Sequence, residues 1–235
     1  MTLRPPHIGT LREKPLHASL KQWCAEEGDR FEVRVDRYVV DVVRAGLLIE
    51  IQTGGFSSIR KKLRRLLELG HRVRVLFPTP AEKTIVRVGP EGEILGRRRS
   101  PRHGTVLDVF AELVSIPDLL ADPGFEVTVV VTTEDEYRRH DPGRAWRRRG
   151  WVVLERRLTG VVAVRHLAGP SALADLLPDG LPDPFTTADV ARLAGCPRRL
   201  AQQMTYCLRR LDVVTAAGKR GNAIEYRVTS GADRA

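Results

Sequence analysis

Cysteine is scarce. The 235 residues contain three, Cys24, Cys196 and Cys207, an odd number without metal-ligand spacing, so neither a zinc site nor a disulfide framework is expected. All three read as reduced and buried. Lysine is also scarce for so basic a chain: Lys14, Lys21, Lys61, Lys62, Lys83 and Lys219 are the only ones among 39 basic residues. Arginine therefore carries the charge, and a catalytic lysine has few places to come from. No segment approaches membrane-spanning length, and Met1-Thr2-Leu3-Arg4-Pro5-Pro6 has no apolar core of the kind a secretory leader needs. The expectation is a cytoplasmic protein with no membrane association.

What is present is length enough for one well-packed domain and a smaller one. A formal charge of +10 on a chain that is 42% hydrophobic and 29% charged describes a folded protein with a basic surface. Such a surface favours nucleic acid, although anionic membranes and acidic proteins would also be attracted.

The most informative stretch runs from Tyr38 to Thr53. Two β-branched and aliphatic runs flank Arg44-Ala45-Gly46, each too short for a helix, which predicts a β-hairpin. With Ala45-Gly46 as a two-residue turn, Asp41 falls opposite Glu50 and Val39 opposite Gln52. Alternation then places Asp41, Leu48, Glu50 and Gln52 on one face. Two opposed carboxylates on a buried face call for a cation or a proton between them; a divalent metal is the economical answer, since oxygen ligands suit Mg²⁺.

An Asp on one strand and Glu-x-Gln on the next resembles the PD-(D/E)XK nuclease superfamily in a variant form. Val40 precedes Asp41 where Pro is common, and Gln52 stands where Lys is usual. The resemblance covers roughly the first third of the chain. It implies a restriction-endonuclease-like αβββαβ core of the α/β class. It also implies Mg²⁺, replaceable by Mn²⁺, bound by Asp41, Glu50 and the Ile51 carbonyl, with Gln52 positioning water. Some members carry a further acid on the first helix, and Glu13 is the residue at that place; its other reading is a favourable charge at a helix N-terminus. Lys61 and Lys62 could replace the missing lysine, with Lys62 the catalytic candidate, or belong to a solvated basic face. Ser57 or Ser58 could orient water or phosphate.

The surrounding pattern predicts a helix over 13–26 with Leu16, Leu20, Trp23 and Cys24 inward, a strand at 31–35, a helix after Ser57 and a fourth strand over 72–77. Farther on, hairpin strands at 84–88 and 93–95, a helix over 105–115 and a buried strand over 126–132 are expected. Two more strands, 151–154 and 161–165, are placed around Thr159-Gly160. Two arginine clusters, including Arg98, Arg99, Arg147 and Arg148, are dense enough to bind phosphates, and Trp146 could stack on a base; solvated loops are the alternative.

The proline-rich segment 178–184 reads as a linker between a nuclease-like domain, 1–177, and a separable C-terminal one, 185–235. In the latter, helices over 187–194 and 198–211 and a basic-tipped hairpin resemble a winged helix. Arg198, Arg199, Gln202, Gln203, Tyr206, Lys219 and Arg220 are its candidate nucleic-acid contacts. The leading expectation is a metal-dependent endonuclease on double-stranded DNA. Alternatives are an inactive DNA-binding regulator on a nuclease scaffold and an RNA-directed nuclease; protein docking by the C-terminal module and a homodimer are also compatible.

Overall fold

Ala45 and Gly46 both take positive φ, 44° and 83°, the conformation that lets a two-residue turn match the twist of its strands. That turn sets the register of the hairpin formed by β2 (Tyr38–Arg44) and β3 (Leu47–Ile51), in which Arg44 pairs with Leu47, Val43 with Leu48 and Val42 with Ile49. The computed structural model describes residues 14–143 and 149–229. Glu13, Trp146, Arg147 and Arg148 lie outside the described residues.

The chain has a mixed α/β architecture with a large mixed sheet. Helix α1 (Pro15–Cys24) precedes β1 (Arg30–Val35), which is antiparallel to β2. After β3, a 3-10 turn (Phe56–Ser58) and α2 (Arg60–Glu68) return the chain to β4 (Arg72–Val88), parallel to β3 with Glu50 beside Val75. Pairing with the far half of β4 is β5 (Ile94–Arg99), and α3 (Phe110–Leu113) leads into β6 (Phe125–His140) and β7 (Trp151–Ala168). The order across the sheet is β1-β2-β3-β4-β6-β7.

The two helices cover opposite faces. Leu16 and Leu20 of α1 are buried with Val42, Ile49, Ile51, Leu76 and Val130. Leu63 and Leu66 of α2 are buried with Leu48, Val73 and Val75. Trp23 is 42% exposed, so the inward position expected for it is wrong; α1 stops at Cys24, and only the Leu16/Leu20 stripe meets the sheet. Of the cysteines, only Cys207 is fully buried.

Two further expectations are corrected. The strands predicted on either side of Thr159-Gly160 are one, because the glycine pairs with Thr133 within the ladder instead of turning. A Cβ there would lie 3.0 Å from Thr133 Oγ1, so the glycine permits close approach at an irregularity in register. The helix expected over 105–115 is a 3-10 turn (Val106–Val109), capped by Thr105 and Asp108, followed by the short α3.

The C-terminal segment comprises α4 (Gly169–Ala174), β8 (Phe185–Thr186), α5 (Thr187–Leu193), α6 (Arg198–Arg210), β9 (Val214–Arg220) and β10 (Ala223–Val228). Its strands form a separate sheet in the order β8-β10-β9. Thr186 and Asp189 make a reciprocal capping box at the start of α5. Leu200, Met204, Leu208 and Leu211 of α6 and its end are buried, as their helical spacing predicts. They belong to the same continuous core as Phe110, Leu113 and Leu66, and α6 packs on α3 and α4. Burial of each such side chain contributes about 1.5–3 kcal/mol, so a stabilising interface joins this segment to the large sheet. No helix among the described residues is long and apolar enough to cross a membrane.

Candidate active site

Asp41 sits where β2 changes face. Val40 and Val42, two residues apart, are buried in different core clusters, so the alternation of the strand breaks between them. On β1, Glu32 takes φ 53° between the pairs Phe31–Val42 and Val33–Val40. At this break the Asp41 side chain meets α1. Its Oδ2 accepts a hydrogen bond from the Ile51 amide at 2.8 Å and lies 3.3 Å from His17 Nε2 on α1. Burial by itself would raise the Asp41 pKa, but the His17 and Ile51 hydrogen bonds and nearby cationic charge hold it below the ordinary value.

Glu50 is 5% exposed and faces α2. Lys62 Nζ, from the first turn of that helix, lies 2.5 Å from Glu50 Oε1 and donates to the Val39 carbonyl. Burial pushes the Glu50 pKa up to about 7; Lys62 opposes this shift and the Asp41 charge adds to it. The acids therefore interact, yet each is neutralised by a different helix. The single face expected for the two acids is not what the structure shows: the β2–β3 pairing runs from Arg44–Leu47 to Val42–Ile49, and because β2 changes face between Val40 and Val42, Asp41 meets α1 whereas Glu50 meets α2. His17, one turn before Lys21, is not among the site residues the sequence nominates.

Gln52 lies just past β3. Its amide nitrogen donates to the Gly55 carbonyl at 2.7 Å and to Ser58 Oγ at 2.9 Å, so both amide protons are used in its own loop and the carbonyl oxygen is left for other contacts. Two long-range contacts hold that loop. Arg156 Nη2, from β7, donates to the Thr53 carbonyl at 2.6 Å, and the Phe56 amide donates to Glu112 Oε2 of α3 at 3.0 Å. Neither residue is foreshadowed by a motif, because both contacts depend on how distant elements meet.

The lysines resolve into distinct roles. Lys62 meets Glu50, whereas Lys61 is exposed on the same helix. Lys21 is buried on α1 and pairs with Glu32. Lys83 of β4 pairs with the buried Glu136 at 2.9 Å.

Among the described residues no group of three or more His, Cys, Asp or Glu side chains is arranged to hold a metal. Mg²⁺ commonly takes only one or two protein carboxylates, the remaining positions going to water and phosphate. Asp41 and Glu50 meet that requirement in number. Glu50 Oε1 is a buried oxygen without an aligned hydrogen bond, although Lys62 Nζ stands 2.5 Å from it. Carboxylate oxygens match such an ion in donor chemistry.

Of the other candidate residues, Arg198, Arg199, Gln202 and Tyr206 are exposed on α6 and Gln203 is half-buried. Arg198, Gln202, Tyr206 and Arg209 line a cavity of about 290 Å³ against β10. Lys219 is exposed near the β9–β10 turn, whereas Arg220 is held by Glu225 at 2.8 Å. Arg98 and Arg99 are both exposed on β5, and strand alternation sends them to opposite faces.

This fold and site place the chain among mixed α/β proteins with a polar cluster at the end of a parallel strand pair. The chain belongs to the family described as Domain of unknown function (DUF8091), which matches residues 14–168, from α1 to the end of β7. It is similar to a Treponema pallidum (strain Nichols) protein described as "Uncharacterized protein", 29% identical over 222 residues that cover 94% of this chain and 87% of that protein. No solved structure matches the chain.

Proposed function

We propose that the protein is a metal-dependent endonuclease acting on DNA, built on a PD-(D/E)XK-like core. The observation that carries this reading is the Lys62–Glu50 contact: a lysine from α2 reaches the central carboxylate of a site whose Glu-x-Gln motif lacks one. The succession of α1, three antiparallel strands, α2 and a parallel fourth strand supports it. In this reading Asp41, Glu50 and the Ile51 carbonyl hold Mg²⁺ or Mn²⁺. The bound ion would act as a Lewis acid on the phosphodiester and lower the pKa of its water. Lys62 supplies the positive charge that the neutral Gln52 amide cannot, and the Gln52 carbonyl orients water. Burial around Glu50 keeps solvent away from the charged groups and strengthens their interaction.

The C-terminal segment fits a winged helix in which α4, α5 and α6 are the three helices and β9–β10 the wing. That reading starts the unit at Gly169, next to the end of the family match, and makes 178–184 an internal loop. The exposed face of α6 would then contact DNA through Arg198, Gln202 and Tyr206. A binding-only reading draws support from the use of both Gln52 amide protons within its own loop.

The test is incubation of the purified protein with duplex DNA, single-stranded DNA and RNA in Mg²⁺, Mn²⁺ or EDTA. Cleavage of duplex that needs metal and is abolished by Glu50→Gln supports the proposal. Binding without cleavage under every condition favours the regulator, and preferential cutting of RNA moves the substrate.

A further inference from the structure

The far halves of β4 and β6 continue beyond β3 and, with β5 and β7, form a four-stranded extension. Its register lines up Arg98, Ile85, Glu136 and Arg156 as one row across the four strands. The row before it holds Lys83 beside Glu134, and the row after it Arg87 beside Arg138. Residues two apart on a strand share a face, so these rows form one surface with five cationic side chains and two carboxylates.

The carboxylates lie underneath. Glu134 and Glu136 are 1% and 5% exposed. Glu136 is held by Lys83 at 2.9 Å and Arg138 at 2.6 Å. Glu134 accepts from Thr132 Oγ1 at 2.8 Å and lies 3.7 Å from Arg156. Buried acids thus fix one edge of each cation while its remaining donors stay available. Arg87 and Arg98 are exposed and have no carboxylate partner among the described residues. The Arg87 guanidinium lies over the Trp151 ring, 5.0 Å from its centroid, and Trp151 meets His140 edge to face. Arginine beside an aromatic ring suits both phosphate and base contacts. At the other end, Arg156 grips the carbonyl of Thr53, next to Gln52.

The geometry points to a nucleic-acid backbone track on this face, running from the Gln52–Thr53 turn through Arg156 and Arg138 to Arg87 and Arg98. It rests on the reading of the protein as nucleic-acid-directed and adds a second contact surface, separate from α6. The opposite face of β5 provides a built-in control. Arg97 and Arg99 are its neighbours in sequence but face the other way, and Arg97 is paired with Asp135 at 3.2 Å.

Anisotropy on a short labelled duplex, in EDTA across a salt series, tests the track independently of cleavage. The double variant Arg87→Gln/Arg98→Gln should flatten the log–log salt dependence by about two units. Arg97→Gln/Arg99→Gln removes the same charge from the same region and should change it by less than about half a unit. Equal effects of the two pairs, or an unchanged slope in the first, overturn the track. Loss of the endonuclease reading alone would appear as absent cleavage with the slope difference intact.

Discussion

Lys62 Nζ lies 2.5 Å from Glu50 Oε1, so a helix residue ten positions beyond Gln52 reaches the strand carboxylate while the Gln52 amide bonds within its own loop. The contact brings a cation to a buried acid, which loses much of its hydration and would be costly to ionise alone. It also makes the lysine and the acid interdependent: removing either leaves the other partly desolvated.

The first prediction concerns pH. Glu50 has its pKa raised from 4.5 to about 7 by burial, so the folded protein binds this proton more tightly than the unfolded chain. The corresponding stabilisation is fully present below the unfolded value and is lost as pH rises through the folded one. A shift of this size corresponds to roughly 3 kcal/mol. Urea titrations between pH 4 and 8 should show wild type losing stability relative to Glu50→Gln over that window. Parallel pH profiles would mean that Glu50 is not desolvated as described.

Asp41 should behave in the opposite sense. Two opposed carboxylates would suggest that truncating one relieves repulsion, but Asp41 accepts the Ile51 amide and meets His17. Asp41→Ala leaves a buried donor unpaired and should destabilise the fold by about 1–3 kcal/mol at neutral pH. Because the folded pKa is depressed, the carboxylate's contribution is present above the unfolded value and is lost as pH falls through the folded one. The deficit of the variant should therefore shrink in acid. A variant as stable as wild type at pH 7 rules this account out.

These two acids show what a sequence can and cannot disclose. The hairpin register was legible because turn chemistry at Ala45-Gly46 and side-chain alternation are local rules, and the parallel pairing of β3 with β4 follows from the helix between them. The face change at Asp41 was not, because it arises from a backbone irregularity at Glu32 on the neighbouring strand. Lys62 could be nominated from its place near the start of α2, whereas Arg156 and Glu112 reach the Gln52 loop across the fold and have no local signal. The length of β6 and β7 was hidden by Gly160, which looks like a turn in isolation and is a close contact in the sheet.

A third prediction separates the position of the lysine from its presence. If Lys62 supplies the charge that Gln52 lacks, Lys62→Met should lower metal-dependent cleavage by roughly 10²–10³-fold, the scale for losing one electrostatic contact at a reacting group. Gln52→Lys in that background should recover a substantial part of the loss. Single-turnover cleavage of duplex DNA in Mn²⁺ measures both. Full activity in Lys62→Met would leave the lysine a structural partner of Glu50 and no more.

The last prediction addresses how the two sheets are joined. The proline-rich segment 178–184 suggests that the C-terminal part can be cut away, yet Met204 is 0% exposed and belongs to a core that also contains Phe110, Leu113 and Leu66. With α6 packed on α3 and α4, unfolding the C-terminal segment would uncover α3, whose Glu112 holds the Phe56 amide beside the candidate site. Met204→Ala should cost about 2–5 kcal/mol, and the loss should appear as a downward shift of one cooperative transition. Deletion of residues 169–235 should for the same reason give a protein of much lower melting temperature that exposes apolar surface, read by dye binding. Calorimetry of Met204→Ala distinguishes the alternatives: a second, lower transition with the main one unmoved would show that the C-terminal segment unfolds independently, and the shared core would then contribute little to holding the Gln52 loop.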